Sequence, residues 1–361
     1  MIVRQLETRK SALNETRIAE SEAPALVDGE ARLRVERFAI TANNVTYGVV
    51  GDRMGYWRFF PATDDEWGVI PVWGTAIVEE SASPGLSAGE RLYGYLPMAS
   101  HLIIRPAGVK PDRLFDGAAH RAELPPVYNA YRRLAAEPGY EPAHDEERMV
   151  LWPLYATSYC LYDFFLDNDW FGAEQIIIGS ASSKTAVGAA LAFRGDENAP
   201  RLIGLTSGGN LAAVTASGLY DQTVAYDDIE NEISLAPSAI IDMSGSGVVI
   251  GRLHRMLGDD MRYTSMVGLT HYSDAGMSPD YIQDRSAMFF APGHIQKRSK
   301  EWGPGVFDAK AMSFFAEAAK QSRDWLEIRR ATGRAETQAA WMEVLAGKTP
   351  PSAAWTASLS T

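Results

Sequence analysis

The sequence predicts an α/β protein with two parts, a β-rich N-terminal part and a doubly wound parallel sheet. Between residues 31 and 105, short segments alternate apolar and charged side chains, as antiparallel strands with one solvated face do. From residue 151 onward, apolar β-branched runs alternate with helical patterns, which is typical of a parallel sheet covered by helices. A third observation is the turn of small residues at 179–183, between an apolar run and a helical pattern.

Composition limits the classes of protein to consider. The 361 residues suffice for two domains, and the net charge of -12 argues against nucleic acid and anionic membrane surfaces as partners. The single cysteine, Cys160, excludes an intramolecular disulfide and a cysteine-rich zinc site. No apolar run approaches the roughly 20 residues of a membrane helix, and the first residues do not resemble a signal peptide. A cytoplasmic protein is expected.

Residues 1–150 are expected to form the β-rich part. The turn signal Asp28-Gly29 precedes a strand over Ala31–Phe38. Further strands are predicted at 69–80, 90–96 and 101–105, as in a small barrel or sandwich. The proline-rich residues 107–150 predict an extended insertion that leads to a domain boundary.

Residues 41–67 have no regular period and are predicted to form a loop. Aromatic side chains in such a loop either line a site for an apolar ligand or form a small core beneath the loop. Both interpretations stay open for Tyr47, Tyr56, Trp57, Phe59, Phe60 and Trp67.

From residue 151 the predicted elements alternate between strand and helix, after a first helix over Tyr155–Leu166. Strands are predicted at 176–178, 202–206, 223–226, 238–242, 262–267 and 287–291. Helices are predicted at 185–194, 209–217, 246–257 and 306–322. The tail is expected to form a strand at 325–329, a helix at 336–346 and a strand at 354–359.

The turn after the strand at 176–178 is predicted to face a phosphate. Small residues let the backbone come close to the phosphate, and its N–H groups lie at the positive end of the helix dipole. The strict G-x-G-x-x-G pattern is absent, and a P-loop fails because Lys184-Thr185 stand one place too early. The alternative is a buried strand before a helix that merely begins on polar residues. The predicted contacts are Ser182, Ser183, Lys184, Thr185 and Gly188.

The order of these elements, with their motifs, resembles the medium-chain dehydrogenase/reductase superfamily. The resemblance is to its zinc-independent quinone-reductase-like and enoyl-reductase-like branch, and most of all to the DUF2855 subfamily. It covers nearly the whole chain. The segments that carry it are Ile40–Gly51 with Asn43-Asn44, Gly85–Gly94, Leu154–Tyr159, Ser182–Gly188 and Trp341–Lys348.

This resemblance implies a GroES-like catalytic domain over 1–150 and a Rossmann nucleotide-binding domain over 151–322. Residues 323–361 are then a return to the catalytic domain. The family pattern implies catalytic roles for Tyr47, Tyr155 and Asn44, with a tyrosine as the proton donor. No His-Glu pair stands near Val72-Trp73, so zinc-independent chemistry without a metal site is expected.

The end of the second parallel strand favours NADP(H) as the cofactor. NAD-binding folds place an acid there for the ribose 2′-OH, whereas this chain has Thr206, Ser207 and Asn210, which can bond a 2′-phosphate. Lys184, Lys297 or Arg298 can supply positive charge. For the last two, the alternative is a solvated basic turn within 293–302.

Ligands of open parallel sheets lie beyond the carboxyl ends of the strands. Residues that follow the later strands are therefore further cofactor contacts, although each is alternatively a simple strand-end turn. They are Ser244, Gly268, Leu269, Thr270 and Phe290.

The leading hypothesis is an NADP(H)-dependent, zinc-independent oxidoreductase that reduces an activated C=C or C=O. Its expected partner is a small apolar or aromatic substrate, with neither nucleic acid nor membrane, and a homodimer stays open. One alternative is a non-catalytic NADP(H)-binding sensor, which needs the phosphate turn but neither tyrosine. The other is a non-redox enzyme, such as a lyase, on the same scaffold.

Overall fold

A computed structural model describes residues 1–62, 64–268 and 278–360. The chain divides into two units, one formed by Met1–Val150 with Trp325–Thr361 and the other by Leu151–Asp324. The helix Asp145–Asp167 begins in the first unit and continues into the second.

The N-terminal segment of the first unit is mainly β-structure with two short helices. In chain order it contains β1 (Ile2–Arg9), β2 (Ala12–Glu22), β3 (Ala31–Ile40), α1 (Ala42–Val49), α2 (Gly51–Met54), β4 (Trp67–Gly68), β5 (Pro71–Ser81), β6 (Arg91–Pro97), β7 (His101–Ile104), β8 (Pro106–Ala107), β9 (Arg113–Asp116) and β10 (Ala130–Arg133).

The second unit alternates strands and helices. In chain order it contains α3 (Asp145–Asp167), β11 (Gln175–Gly179), α4 (Lys184–Arg194), β12 (Arg201–Thr206), α5 (Gly208–Ala216), β13 (Gln222–Ala225), α6 (Ile229–Glu232), β14 (Ser238–Asp242), α7 (Gly247–Leu257), β15 (Met261–Met266), β16 (Ser286–Met288), α8 (Ala291–Trp302) and α9 (Val306–Ser322).

The C-terminal segment adds strands to the large sheet of the first unit. It contains β17 (Glu327–Thr332), α10 (Gly333–Leu345) and β18 (Ala353–Ser358). β18 pairs antiparallel with β3, and the described order of this sheet is β17-β18-β3-β5-β6-β10-β9-β8, with β7 paired to β3. A smaller sheet has the order β2-β1-β4.

The described strands of the second unit form a parallel sheet in the order β13-β12-β11-β14-β15-β16. Counted from β11, this is the 3-2-1-4-5-6 order of a Rossmann sheet, whose strand order reverses between β11 and β14. The predicted α/β fold, with a parallel sheet and a larger β-sheet, is confirmed.

Both faces of this sheet are buried, which explains the unbroken isoleucine run of β11. Ile176 and Ile178 pack with Phe165 and Phe193 on one face. Ile177 packs on the other face with residues of α7 such as Leu253. A strand that is buried on both faces needs apolar side chains at every position rather than at alternate ones.

Three sequence predictions about secondary structure are wrong. The expected loop at 41–67 contains α1 and α2. The expected insertion at 107–150 contributes β9 and β10 to the sheet and the first turn of α3. The expected strand at 287–291 ends at Met288. Residues 293–302, for which a solvated basic turn was one of two open interpretations, lie in α8, whose first turn contains Pro292.

Candidate functional site

The candidate site lies at the carboxyl edge of the parallel sheet in the second unit. The parallel register aligns Gly179 of β11 with Leu205 of β12, and Ile178 with Ile241 of β14. The turns that follow these three strands therefore lie side by side. Such an edge, next to the point where the strand order reverses, is where open α/β sheets bind ligands.

The turn after β11 is held in a strained conformation. Ser180 has a φ of 55°, a left-handed backbone that costs a non-glycine residue about 1 kcal/mol. Its N–H donates to the Tyr226 hydroxyl at 3.0 Å, and the next N–H, of Ala181, donates to Leu205 O at 3.0 Å. The Tyr220 hydroxyl donates to Ala181 O at 2.9 Å. The strain thus persists because β12 and two tyrosines fix the turn.

Two serine hydroxyls of this turn meet the start of α4. Ser183 caps the helix by accepting from the Ala186 N–H at 3.3 Å. Ser182 accepts from Asn210 Nδ2 at 3.2 Å, which ties the turn after β11 to the turn after β12. Each hydroxyl keeps a hydrogen that it can donate. A phosphate is the ligand that hydroxyl donors at a helix N-terminus fit.

Lys184 is the first residue of α4 and is half-buried. Burial lowers the pKa of its ammonium group to about 8. The ammonium group is therefore protonated below that pH, so it can contribute positive charge at the start of α4.

The turn after β12 is open to solvent. Thr206 is buried, while Ser207 is exposed and occupies the N-cap position of α5. Apart from the adjoining backbone of α5, no atom of the described residues lies within 4 Å of the place where a Cβ on Gly208 or Gly209 would be. The first turn of α5 contains no acidic residue. This turn has space for a ligand. The first turn of α5 has no carboxylate that would repel an anion.

Gly188 lies where α3 crosses α4 rather than in the turn. A Cβ at Gly188 would lie 2.5 Å from the Tyr155 ring and 2.6 Å from Ser158 Oγ. Ser158 Oγ also donates to Thr185 O at 2.7 Å. Gly188 and Thr185 therefore let α3 and α4 pack closely. In dinucleotide-binding motifs the third glycine has a similar packing role.

Tyr155 is fully buried in the second unit. Its hydroxyl lies 2.6 Å from Ser322 Oγ, which itself donates to Ala318 O at 3.0 Å. Because the serine hydrogen is used on Ala318, Tyr155 is the donor to Ser322. Its phenolic hydrogen is thereby engaged in a fixed bond between α3 and α9.

The Asp242 carboxylate is hydrogen-bonded within the turn that follows β14. Asp242 accepts from the Ser244 N–H at 2.8 Å, from Ser244 Oγ at 2.6 Å and from the Gly245 N–H at 3.1 Å. Gly268 lies against this turn, since a Cβ there would lie 2.3 Å from Met243 O. Of the other predicted contacts, Leu269 and Thr270 lie outside the described residues. Phe290 is the N-cap residue of α8.

Lys297 and Arg298 lie on α8 and pair with carboxylates of α3. Arg298 is buried and its Nε lies 2.5 Å from Asp163 Oδ2, an oxygen that His294 Nε2 also contacts at 2.5 Å. Lys297 pairs with Asp167. α8 follows β16, four places from β12, and strands about 4.8 Å apart put about 19 Å between those strand ends. The described contacts do not bring these two cations to Ser207.

Asn44 and Tyr47 lie on α1 of the first unit. Asn44 Oδ1 accepts from the Thr41 N–H at 2.7 Å, and Asn44 Nδ2 donates to Pro71 O at 2.8 Å. The Tyr47 hydroxyl accepts from Asn43 Nδ2 at 2.8 Å and from Trp73 Nε1 at 3.3 Å. Asn44 therefore caps α1 and fixes it to the start of β5, while Tyr47 keeps its own hydrogen.

The aromatic side chains of 41–67 lie largely in the core of the first unit. Trp57 fills space beside Gly51 and Gly68, where a Cβ would lie within 2.2 and 2.3 Å of its ring. Phe59 is fully buried in the same cluster, and the Tyr56 hydroxyl lies 3.1 Å from that of Tyr128. Of the two interpretations left open by the sequence, the core beneath the loop is the one that fits these side chains.

Sequence reasoning missed Tyr220 and Tyr226, and it missed the contacts that Asn43 and Trp73 make with the Tyr47 hydroxyl. Tyr220 and Tyr226 flank β13 and fix the strained turn, and Tyr226 stood at the end of a predicted strand, which was a usable signal. Asn43 and Trp73 contact the Tyr47 hydroxyl. Only the spacing of Asn43, four residues before Tyr47, could have indicated its contact.

The described residues contain neither a cluster of metal ligands nor a helix suited to a membrane. No group of three or more His, Cys, Asp or Glu side chains is placed there to hold a metal ion. No helix within those residues has both the length and the apolar character needed to cross a membrane.

Comparisons with known proteins identify the family and the fold. Solved structures with this fold include CurA from Vibrio vulnificus in complex with NADPH, with a TM-score of 0.63 and 14% identity over 99% of both chains. TarJ from S. aureus in complex with NADPH has a TM-score of 0.59 and 9% identity over 99% of both chains. CurK enoyl reductase has a TM-score of 0.57 and 12% identity over 99% of both chains.

These identities are low, so the structural likeness shows the fold alone. No curated protein matches the sequence. A family model described as "Protein of unknown function (DUF2855)" matches residues 38–350, which is most of the chain, and confirms the predicted resemblance. The chain belongs to the DUF2855 family.

Proposed function

We propose that this protein is an NADP(H)-dependent, zinc-independent oxidoreductase that reduces an activated C=C or C=O of an apolar small molecule. The observation that carries the proposal is the carboxyl edge of the parallel sheet. There the start of α4, with two free serine hydrogens, lies beside an exposed turn whose first helical residues include no acid. CurA and TarJ, which share the fold, were solved with NADPH, and CurK is an enoyl reductase.

The cofactor diphosphate is assigned to the turn after β11. Ser182 and Ser183 would donate their hydroxyl hydrogens, and the N–H groups at the start of α4 would add the positive end of the helix dipole. The fixed conformation of Ser180 supports this assignment because backbone strain is concentrated at ligand-binding turns.

The cofactor 2′-phosphate is assigned to the exposed start of α5. Ser207 and Asn210 supply uncharged donors there, and Lys184 supplies positive charge from the neighbouring turn. Lys297 and Arg298 are left out of this assignment because both pair with carboxylates of α3.

The cofactor, when bound, supplies a hydride, and the chain must supply a proton. Tyr47 is the proposed donor because its oxygen accepts two hydrogen bonds and its hydrogen remains available. Burial raises the pKa of its phenol, so the hydroxyl stays protonated at neutral pH. Tyr155 is the weaker candidate because its hydrogen is already donated to Ser322.

One observation favours a second candidate function, a non-catalytic NADP(H)-binding protein. Tyr47 is only 5% exposed and Tyr155 is fully buried, so neither proposed donor faces solvent. A binding protein would need the turns at 180–183 and 206–210 but neither phenol. The two functions differ in turnover and not in affinity for the cofactor.

The test combines a binding measurement with a reaction screen. The full chain should bind NADPH more tightly than NADH in a fluorescence titration, and it should oxidise NADPH with an enone, a quinone or an aldehyde. Loss of binding in Ser182→Asp, with binding kept in Ser182→Ala, would locate the phosphate. Tight binding without turnover on any acceptor would favour the non-catalytic candidate, and no binding would refute both.

A further inference from the structure

We propose that Asn43 and Trp73 are positioning residues that hold the Tyr47 hydroxyl as a hydrogen-bond donor. The inference rests on the proton-donor role proposed above and deepens it. It comes from the two hydrogen bonds that the phenol oxygen accepts.

The hydrogen bonds to the Tyr47 oxygen restrict the direction in which the phenol can donate its hydrogen. A phenol oxygen has two lone pairs and one hydrogen. Asn43 Nδ2 at 2.8 Å and Trp73 Nε1 at 3.3 Å occupy the acceptor side, and an indole N–H can only donate. The Tyr95 hydroxyl is a third neighbour, and its hydrogen bond also lowers the pKa of Tyr47, as a donor to the phenol oxygen does. The hydrogen of Tyr47 therefore points away from these donors and toward another group. An oxygen or carbon that receives a proton is such a group.

Both positioning side chains are themselves fixed. Asn43 lies four residues before Tyr47 on α1, so their side chains share one face of the helix. Trp73 of β5 is stacked on Tyr93 with ring centroids 5.8 Å apart and contacts Tyr95 at 5.1 Å. The indole N–H thus reaches Tyr47 from a rigid sheet, which is the support that a precisely aimed donor requires.

The two bonds also favour the product of proton transfer. When the O–H bond of Tyr47 breaks, the proton goes to the atom of the substrate that accepts it, and a phenolate remains until water returns a proton. Burial opposes that phenolate by raising the pKa, and the hydrogen bonds from Trp73 and Asn43 act in the opposite direction. Each N–H donor therefore stabilises the charge that the transfer creates.

The variants separate positioning from packing. Trp73→Phe removes the indole N–H and keeps an aromatic ring, and Asn43→Asp replaces the amide donor with an acceptor of the same shape. Tyr56→Phe is the matched control, because its ring packs 4.5 Å from the Tyr47 ring and is kept in the variant, while the hydroxyl that is removed lies 3.1 Å from that of Tyr128. The probes are 2-cyclohexen-1-one and 1,4-naphthoquinone with NADPH.

Trp73→Phe and Asn43→Asp should each lower kcat about tenfold, while KM for NADPH changes little. Tyr56→Phe should keep the kcat of the unsubstituted protein. If Tyr47→Phe lowers kcat while Trp73→Phe and Asn43→Asp do not, the positioning role is overturned and the donor role survives. If Tyr47→Phe keeps full kcat, the donor role itself is wrong.

A spectroscopic readout tests the hydrogen bond without turnover. In the ¹⁵N-tryptophan spectrum of the full chain, the Trp73 indole N–H is assigned by its loss in Trp73→Phe. It should move upfield in Tyr47→Phe and stay in place in Tyr56→Phe. An indole resonance that does not respond to Tyr47→Phe would overturn the inference.

Discussion

Acid should destabilise the second unit through one buried histidine, His254 on α7. The side chain is 1% exposed, its Nδ1 accepts from the Ile282 N–H at 2.9 Å, and its Nε2 lies 2.8 Å from Thr264 Oγ1. Because Nδ1 is an acceptor, the ring is neutral with its proton on Nε2. Burial, with a smaller effect of the Arg285 charge, lowers the pKa of His254 to about 4.

The magnitude follows from the difference between the folded and unfolded pKa. An unfolded histidine has a pKa of about 6.5, so the folded state binds the proton more weakly. This contribution is fully present above pH 6.5 and is lost as the pH falls toward 4. For a pKa of about 4 in the folded state, about 2 kcal/mol of unfolding free energy is lost by pH 5.

Urea denaturation at pH 7.5 and pH 5 measures this loss, with His254→Gln as the control. Glutamine can accept from Ile282 and donate to Thr264 but does not titrate. The unsubstituted protein should therefore lose about 2 kcal/mol more than the variant between the two pH values. Equal losses in the two proteins would refute the reasoning.

Three further predictions concern packing, charge and metal. Asp116 and Arg121 pair at 3.0 Å with side chains 1% exposed, so Asp116→Asn should cost about 3–5 kcal/mol in urea denaturation, and adding Arg121→Met should recover part of this. Gly188→Ala should lower the melting temperature by forcing a Cβ against Tyr155, since overpacking costs about 1–3 kcal/mol and the helix-propensity gain of about 1 kcal/mol offsets only part of most of that range; a raised melting temperature would contradict the crossing of α3 and α4. Dialysis against EDTA should leave NADPH binding and turnover unchanged, and elemental analysis should find no stoichiometric zinc; metal lost together with activity would contradict the metal-free proposal.

The second unit shows how much of a fold local pattern can predict. The predicted strand at 238–242 and helix at 306–322 have the bounds seen in the structure. β14 is a short apolar run that ends at Asp242, and α9 carries an apolar stripe that ends before Arg323. In both, the residues that form the element also mark its ends, so no distant contact is needed to place them.

The error at 41–54 has the opposite cause. Glycines at 48 and 51 are signals of a break, yet both lie in helices. A Cβ at Gly51 would lie 2.2 Å from the Trp57 indole, and one at Gly48 would lie 3.0 Å from Leu13. These glycines make space for side chains that reach them only in the folded protein. A local pattern contains no information about such neighbours.

The candidate site was predictable to the extent that topology alone places it. Ser182 and Asn210 follow adjacent parallel strands, so a sequence that predicts the sheet also predicts their proximity. Arg298 is different, because its partner Asp163 lies 135 residues earlier in the chain. Nothing near Arg298 in the sequence distinguishes a buried ion pair from a phosphate ligand.

The central claim, that the start of α5 accepts a 2′-phosphate, is tested most directly by calorimetry of Ser207 variants with NADPH and NADH. Ser207→Asp adds a charge and Ser207→Asn adds a neutral side chain of the same shape. Two unit charges of opposite sign about 4 Å apart near a protein surface attract each other by about 1–4 kcal/mol, and two charges of like sign repel each other by as much. The unsubstituted protein and Ser207→Asn should therefore prefer NADPH, and Ser207→Asp should lose that preference by about tenfold or more. NADH binding as tight as NADPH in the unsubstituted protein, or equal behaviour of the two variants, would contradict the claim.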